Sequence, residues 1–139
     1  MRINGMEAAL RQLQNLPEQA NASIQKSIDE TANKIVQDAS SAAPGSIGGM
    51  ISSQSGQLSA LVSVSDAAGD YPGYVEMGTG VFAKRYVATL PQEWQDEAMK
   101  FFKTGKGKGH PYPYFYPAVM RNSPELMAEI EKELQKLAK

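Results

Sequence analysis

Cysteine is absent from this chain of 139 residues, and histidine and tryptophan each occur once, as His110 and Trp94. Without thiols there is no disulfide framework and no thiolate zinc site. Charge of either sign is in no excess: 14 basic side chains face 15 acidic ones, which removes the global positive field of a dedicated duplex-DNA binder. Long apolar runs are also missing, so no membrane segment is expected. The opening Met1-Arg2-Ile3-Asn4-Gly5 lacks the apolar stretch of a signal peptide. These absences predict a chain made and kept in a cytoplasm. With 42% apolar residues over this length, one domain spanning 1–139 can bury roughly two thirds of its unfolded surface without a metal or disulfide staple.

Charge is scarce locally as well. Residues 41–80 carry no Lys or Arg but three acids (Asp66, Asp70, Glu76), whereas residues 81–110 carry six bases (Lys84, Arg85, Lys100, Lys103, Lys106, Lys108) against Glu93, Asp96 and Glu97. Either the second stretch is a solvated loop beside a sheet, or acidic strands of one copy meet the basic loop of another.

Asn4 and Glu7 have capping-box spacing, and Met6, Leu10, Leu13 and Leu16 then share a helical face up to Pro17. From Pro17 to Ser40 the spacing of Ala20, Ile24, Ile28, Ala32, Ile35, Val36 and Ala39 predicts a second amphipathic helix, on the order of 36 Å long. Ala43-Pro44-Gly45 ends it. The period then changes. Met50–Ser53 and Leu58–Ser65 read as two strands around Ser55-Gly56-Gln57, and Tyr74–Met77 as a short structured piece stopped by Gly78-Thr79-Gly80. Residues 81–109 read as a long irregular insert, in which Pro91–Phe102 has the composition of one short helix. His110–Pro117 contains three prolines and reads as an edge strand, and Pro124 is placed to open a final helix through Leu126, Met127, Ile130, Leu134 and Leu137. The fold class expected is α+β: a long N-terminal and a C-terminal helix packed on a small antiparallel sheet.

Chemistry is hard to find. His110 sits among lysines and prolines with no base or nucleophile partner, and Asp66, Asp70 and Glu76 lack calcium-loop spacing. Gly105–Gly109 lacks the spacer and the Gly-Lys-Ser/Thr ending of a phosphate loop, and no serine sits in a Gly-x-Ser-x-Gly turn. No catalytic, metal or cofactor residue is therefore assigned, and no enzymatic activity is expected. The lysine-glycine tract beside Tyr112, Tyr114, Phe115 and Tyr116 admits an alternative, a single-stranded nucleic-acid-binding module; packing of alternate aromatics onto the helices competes with it.

Four pieces occur in a telling order: the amphipathic helix ending in Ala43-Pro44, the serine-rich hairpin from Gly49-Met50-Ile51, the block Tyr74-Val75-Glu76-Met77-Gly78-Thr79-Gly80, and Pro113-Tyr114-Phe115-Tyr116-Pro117-Ala118 before the last helix. Together they resemble the gene-product-ten-like tail-component family of siphophages and prophages, over nearly the whole chain. Gly45–Met50 only approximates the Thr-Gly-x-Leu element common in that family, Tyr114 stands where Phe is usual, and the insert is long. The resemblance implies a non-enzymatic virion protein that acts in tail completion or head-to-tail joining. It implies assembly with copies of itself into a ring, hexameric or larger, and contact with neighbouring neck and tail proteins. Location in the virion, after synthesis in the bacterial host cytoplasm, goes with it.

The residues expected at subunit or neck contacts are Glu76, Gly78, Thr79, Lys84, Arg85, Trp94, Phe101, Phe102, Tyr114 and Phe115. Gly78 and Gly80 are expected to supply unusual backbone angles, and Glu76 either to pair across a subunit contact or to cap a local helix or turn. Residues 81–109 are expected to be removable behind a linker without unfolding the rest, and to order against a partner.

Overall fold

The computed structural model describes residues 18–65, 67, 69, 71–99 and 107–137. The fold is α+β, with helix α1 (Glu18–Ala42) and the C-terminal helix α5 (Phe115–Leu137) packed together and against a two-stranded antiparallel sheet. Between the sheet and α5 lie three short helices: α2 (Tyr71–Met77), α3 (Gly80–Val87) and α4 (Gln92–Met99). The expected helix over residues 4–16 lies outside the described residues.

Helix α1 follows its apolar spacing: Ala20, Ile24, Ile28, Ala32, Ile35 and Ala39 are buried, joined by Thr31. Pro44 stops it, and a 3-10 segment (Gly45–Met50) drops Ile47 into the core. Contacts with α5 run in opposite chain order, Lys34 to Glu125 at 3.3 Å and Asp38 to Asn122 at 2.9 Å and Arg121 at 3.4 Å, so the two long helices are antiparallel. The exposed ion pairs add little; burial of the shared apolar stripe, Ile24 and Ile28 against Leu126 and Ile130, holds the helices together.

Strands β1 (Ile51–Gly56) and β2 (Ser59–Val64) pair in unbroken register from Ile51↔Val64 to Gly56↔Ser59. The loop is Gln57-Leu58, so Leu58 is a turn residue and not the start of the second strand. Its φ is +49°, which costs a side-chain-bearing residue on the order of 1 kcal/mol. Two features offset that strain. Leu58 plugs the cluster of Ile24, Ile28, Leu126 and Ile130, and its N–H donates to Gln25 Oε1 at 2.5 Å. Gln25 Nε2 also reaches the Ser59 carbonyl at 3.2 Å, so one α1 side chain clamps the turn.

The middle of the chain departs from expectation. The described part of residues 81–109 is not irregular: α3 and α4 occupy most of it, with the Pro91 carbonyl accepting the Trp94 and Gln95 amides at the start of α4. Leu90, Trp94 and Ala98 belong to the main core with Ile35, Ile47, Ile51, Val64 and Phe115. Trp94 is 4% exposed and meets Tyr116 edge-on at 4.8 Å and Phe115 at 5.9 Å between ring centroids. A segment that provides the core's largest ring is not separable from it.

Helix α5 corrects two further expectations. The proline-rich stretch before it is not an edge strand; residues 107–113 belong to no helix or sheet, and Tyr112 donates its N–H to the Val75 carbonyl of α2 at 2.8 Å. The helix then begins at Phe115, leaving Pro124 inside it. Pro117, in the first turn, has no helical hydrogen bond to lose. At Pro124 the missing N–H frees the Met120 carbonyl on an exposed face, where water can take it, while Phe115, Ala118, Asn122, Leu126 and Ile130 keep the buried stripe continuous across the proline.

Trp94→Ala is expected to lower the unfolding free energy by about 3–5 kcal/mol, measured by urea titration. Deletion of Val81–Gly109 should abolish the cooperative transition; a deletion variant that melts cooperatively would restore the separable insert. Leu58→Gly relieves about 1 kcal/mol of strain but forfeits about 2–4 kcal/mol of buried side chain. Net destabilisation is therefore expected in the same titration.

Candidate functional site

The segments that carry the family resemblance meet in space. Glu76, in the last turn of α2, is completely buried and points its carboxylate at the beginning of α5. Its Oε2 accepts the N–H of Tyr114 at 2.7 Å and of Phe115 at 2.8 Å, and its Oε1 the N–H of Tyr116 at 2.9 Å. A helix start leaves four amides without an internal partner. Counted from Tyr114, Glu76 takes three of them, and the fourth residue, Pro117, has none to offer. The negative carboxylate also faces the positive end of the helix dipole.

Glu76 is thus a helix cap, but for a helix some forty residues further along the chain and not a local one. Burial pushes its carboxyl above the usual carboxylate value, because desolvation outweighs the three amide bonds that oppose it. Burial, with the Glu76 charge adding to it, also raises the Tyr114 phenol and pushes half-buried Tyr86 up to about 12. The Tyr114 hydroxyl donates to the Pro72 carbonyl at the start of α2 at 2.9 Å, so this side chain ties the far end of the same helix.

Beside this junction the two glycine-rich segments lie backbone to backbone. Thr79 donates its N–H to the Gly109 carbonyl at 2.8 Å, and Gly109 donates its N–H to Thr79 Oγ1 at 2.7 Å. Gly78 and Gly80 have φ of +82° and +58°, as their place in the sequence led one to expect. A Cβ on Gly78 would stand 2.9 Å from the Gly109 carbonyl oxygen, and one on Gly80 would collide with the Gly107 carbonyl. Neither the angle nor the space admits another residue. His110 lies against Phe82 with ring centroids 3.8 Å apart and planes tilted by 35°, which extends the seam onto α3.

The expected contact residues therefore separate. Glu76, Gly78, Trp94, Tyr114 and Phe115 are buried within this chain and present no surface to a partner. Thr79 is half-buried and engaged by Gly109, whereas Lys84 and Arg85 are exposed on α3. Phe101 and Phe102 lie outside the described residues. Sequence reasoning missed Pro72, Gly107 and Gly109 as members of the junction; the only signal was that glycines cluster in both segments. Of the aromatics available for base stacking, Tyr112 is exposed and Tyr114 and Phe115 are buried, which takes two faces from the nucleic-acid alternative.

Among the described residues, no group of three or more His, Asp or Glu could hold a metal ion, and no helix is long and apolar enough to cross a membrane. No protein-family model, curated protein or solved structure matches the chain.

Glu76→Ala leaves three buried amides unpaired and is expected to cost about 2–4 kcal/mol. Glu76→Gln keeps one acceptor but turns an NH2 donor toward an N–H, costing about 1–3 kcal/mol. A carboxyl whose pKa is raised by folding binds protons more readily in the folded state, so stability falls as pH rises from 4.5 through the raised value. Denaturant titrations over that window should show the advantage of the natural chain over Glu76→Gln shrinking with rising pH. A difference independent of pH would mean that Glu76 does not titrate there.

Proposed function

We propose that this chain is a non-enzymatic structural protein of a tailed phage or prophage, acting in tail completion or head-to-tail joining by assembling into a ring at the neck. The observation that carries the reading is the junction itself. The two short motifs behind the resemblance, Val75-Glu76-x-Gly78-Thr79 and Pro113-Tyr114-x-x-Pro117-Ala118, are joined by Glu76 and by the Gly78–Thr79–Gly109 seam. Motifs that matter as one architectural unit are what a shared fold would keep while its surface adapts to different partners. Arginine and lysine exposed on α3, at Arg85 and Lys84, offer a polar surface to neighbouring neck or tail proteins.

The absence of catalytic spacing in the sequence fits a subunit whose work is to occupy a place. A rigid body built on two long antiparallel helices suits a load-bearing ring, and no step of the proposal calls for a cofactor. The location that goes with it is the virion, at the head-to-tail junction or the end of the tail.

The test is removal of the gene from the phage or inducible prophage that encodes it, with electron microscopy of the lysate. Filled heads and separate tails are expected, with joined particles restored by the natural gene in trans. Joined, infectious particles without the gene would overturn the proposal.

A further inference from the structure

Helix α5 carries a second apolar row beside the stripe that seals it onto α1. Met120, Met127 and Leu134 are seven residues apart and so lie along one side of the helix. Among the described residues nothing buries this row fully: Met120 is 49% and Met127 51% exposed. Leu134 is half-buried, at the rim of the cluster of Ile24, Ile28, Leu58, Leu126 and Ile130, and Leu137, three residues on, is exposed. Large apolar side chains aligned on the outside of a soluble helix mark a contact.

The row ends where α1 begins. The two long helices are antiparallel, with Ile24 and Ile28 against Leu126 and Ile130. Glu18 stands six residues before Ile24, about 9 Å, and Leu137 seven residues beyond Ile130, about 10 Å, so residues 1–17 lead into α1 at the Leu134–Leu137 end of α5. In that segment Met6, Leu10, Leu13 and Leu16 share a helical face, and Pro17 disfavours helical backbone at Leu16, where the chain can reverse. Length and charge both match. A helix over residues 4–16 would measure about 20 Å, and the row from Leu134 back to Met120 about 21 Å. Arg11 follows Leu10, while Glu131 stands on the margin of the row between Met127 and Leu134.

We propose that the row Met120–Met127–Leu134 is the docking face for the chain's own residues 4–16, bound as an amphipathic helix parallel to α5. Its apolar face covers Met127 and Leu134, and Arg11 lies toward Glu131. A tether of one or two residues holds the segment at an effective concentration of about millimolar or more, which places it ahead of a second copy for the same face. This inference is independent of the ring reading, and it takes this side of α5 away from the surfaces open to neck or tail proteins.

Because the chain has no cysteine, disulfide trapping reads only the thiols put in. Met127→Cys is paired in the full chain with Leu10→Cys or, separately, with Leu13→Cys. Glu125→Cys, on the opposite side of α5 where Glu125 meets Lys34, replaces Met127→Cys in the controls. Mild oxidation is expected to close a disulfide within one chain in at least one Met127→Cys pair, about tenfold faster or more than in its control. Trypsin supplies a second readout: Met127→Glu, a change at an exposed position, should speed cleavage after Arg11 by about tenfold or more. Circular dichroism and urea titration check that each variant keeps the folded body. A disulfide that links two chains makes a second copy the occupant and overturns the inference. So does trapping no faster than in the controls, or cleavage after Arg11 that is equally fast in the natural chain and in folded Met127→Glu. None of these outcomes bears on the neck reading, which the gene-removal experiment decides.

Discussion

A buried carboxylate on three main-chain amides organises this molecule. Helix α5 begins in the protein interior, where water cannot satisfy its first N–H groups, and Glu76 is the group that does so. Withdrawing that carboxylate from water is costly and pushes its pKa up, and the amide bonds and the helix dipole offset the cost only in part. Because Glu76 rides on α2, the contact fixes where α5 starts relative to α2. The stripe from Phe115 to Ile130 then fixes how α5 lies on α1. Tyr114, hydrogen-bonded to the other end of α2, keeps that short helix from pivoting about Glu76.

The glycine seam belongs to the same device. For Glu76 to face Tyr114, the chain leaving α2 and the chain entering α5 must pass within hydrogen-bond reach of each other, and side chains on Gly78 or Gly80 would force them apart. The seam also sets the direction in which α3 departs, and through α3 and α4 brings Trp94 beneath Tyr116. Short helices of seven or eight residues have little stability alone. Here each is held by what it buries: Met77 on α2, Ala83 on α3, Trp94 and Ala98 on α4.

How far the sequence could be read depended on how far apart the interacting residues are. Spacing within α1 determined its helix and its buried face, because a helix is made of bonds four residues apart and the apolar positions record them. The change of period after Pro44 likewise determined the hairpin, with its turn displaced: Ser55 and Gly56, expected in the turn, belong to β1, and Leu58, expected to open the second strand, proved to be a strained turn residue plugged into the core. Gly78 and Gly80 were legible as positions of unusual backbone angle. What they made room for was not, since Gly107 and Gly109 lie in another stretch of the chain.

Tertiary structure alone decided the rest. No local pattern marks Glu76 as the cap of a helix starting at Phe115, or sets Phe115 and not Pro124 as that start, because the capping group arrives from another element. Nor does composition place Trp94 inside: a segment rich in lysine and glycine reads as loop until its few apolar side chains are found against α5. Local hydrogen bonding and period are written in the order of residues; partners for buried amides and rings are chosen only when the chain has closed on itself, since burial is a property of the whole surface removed from water.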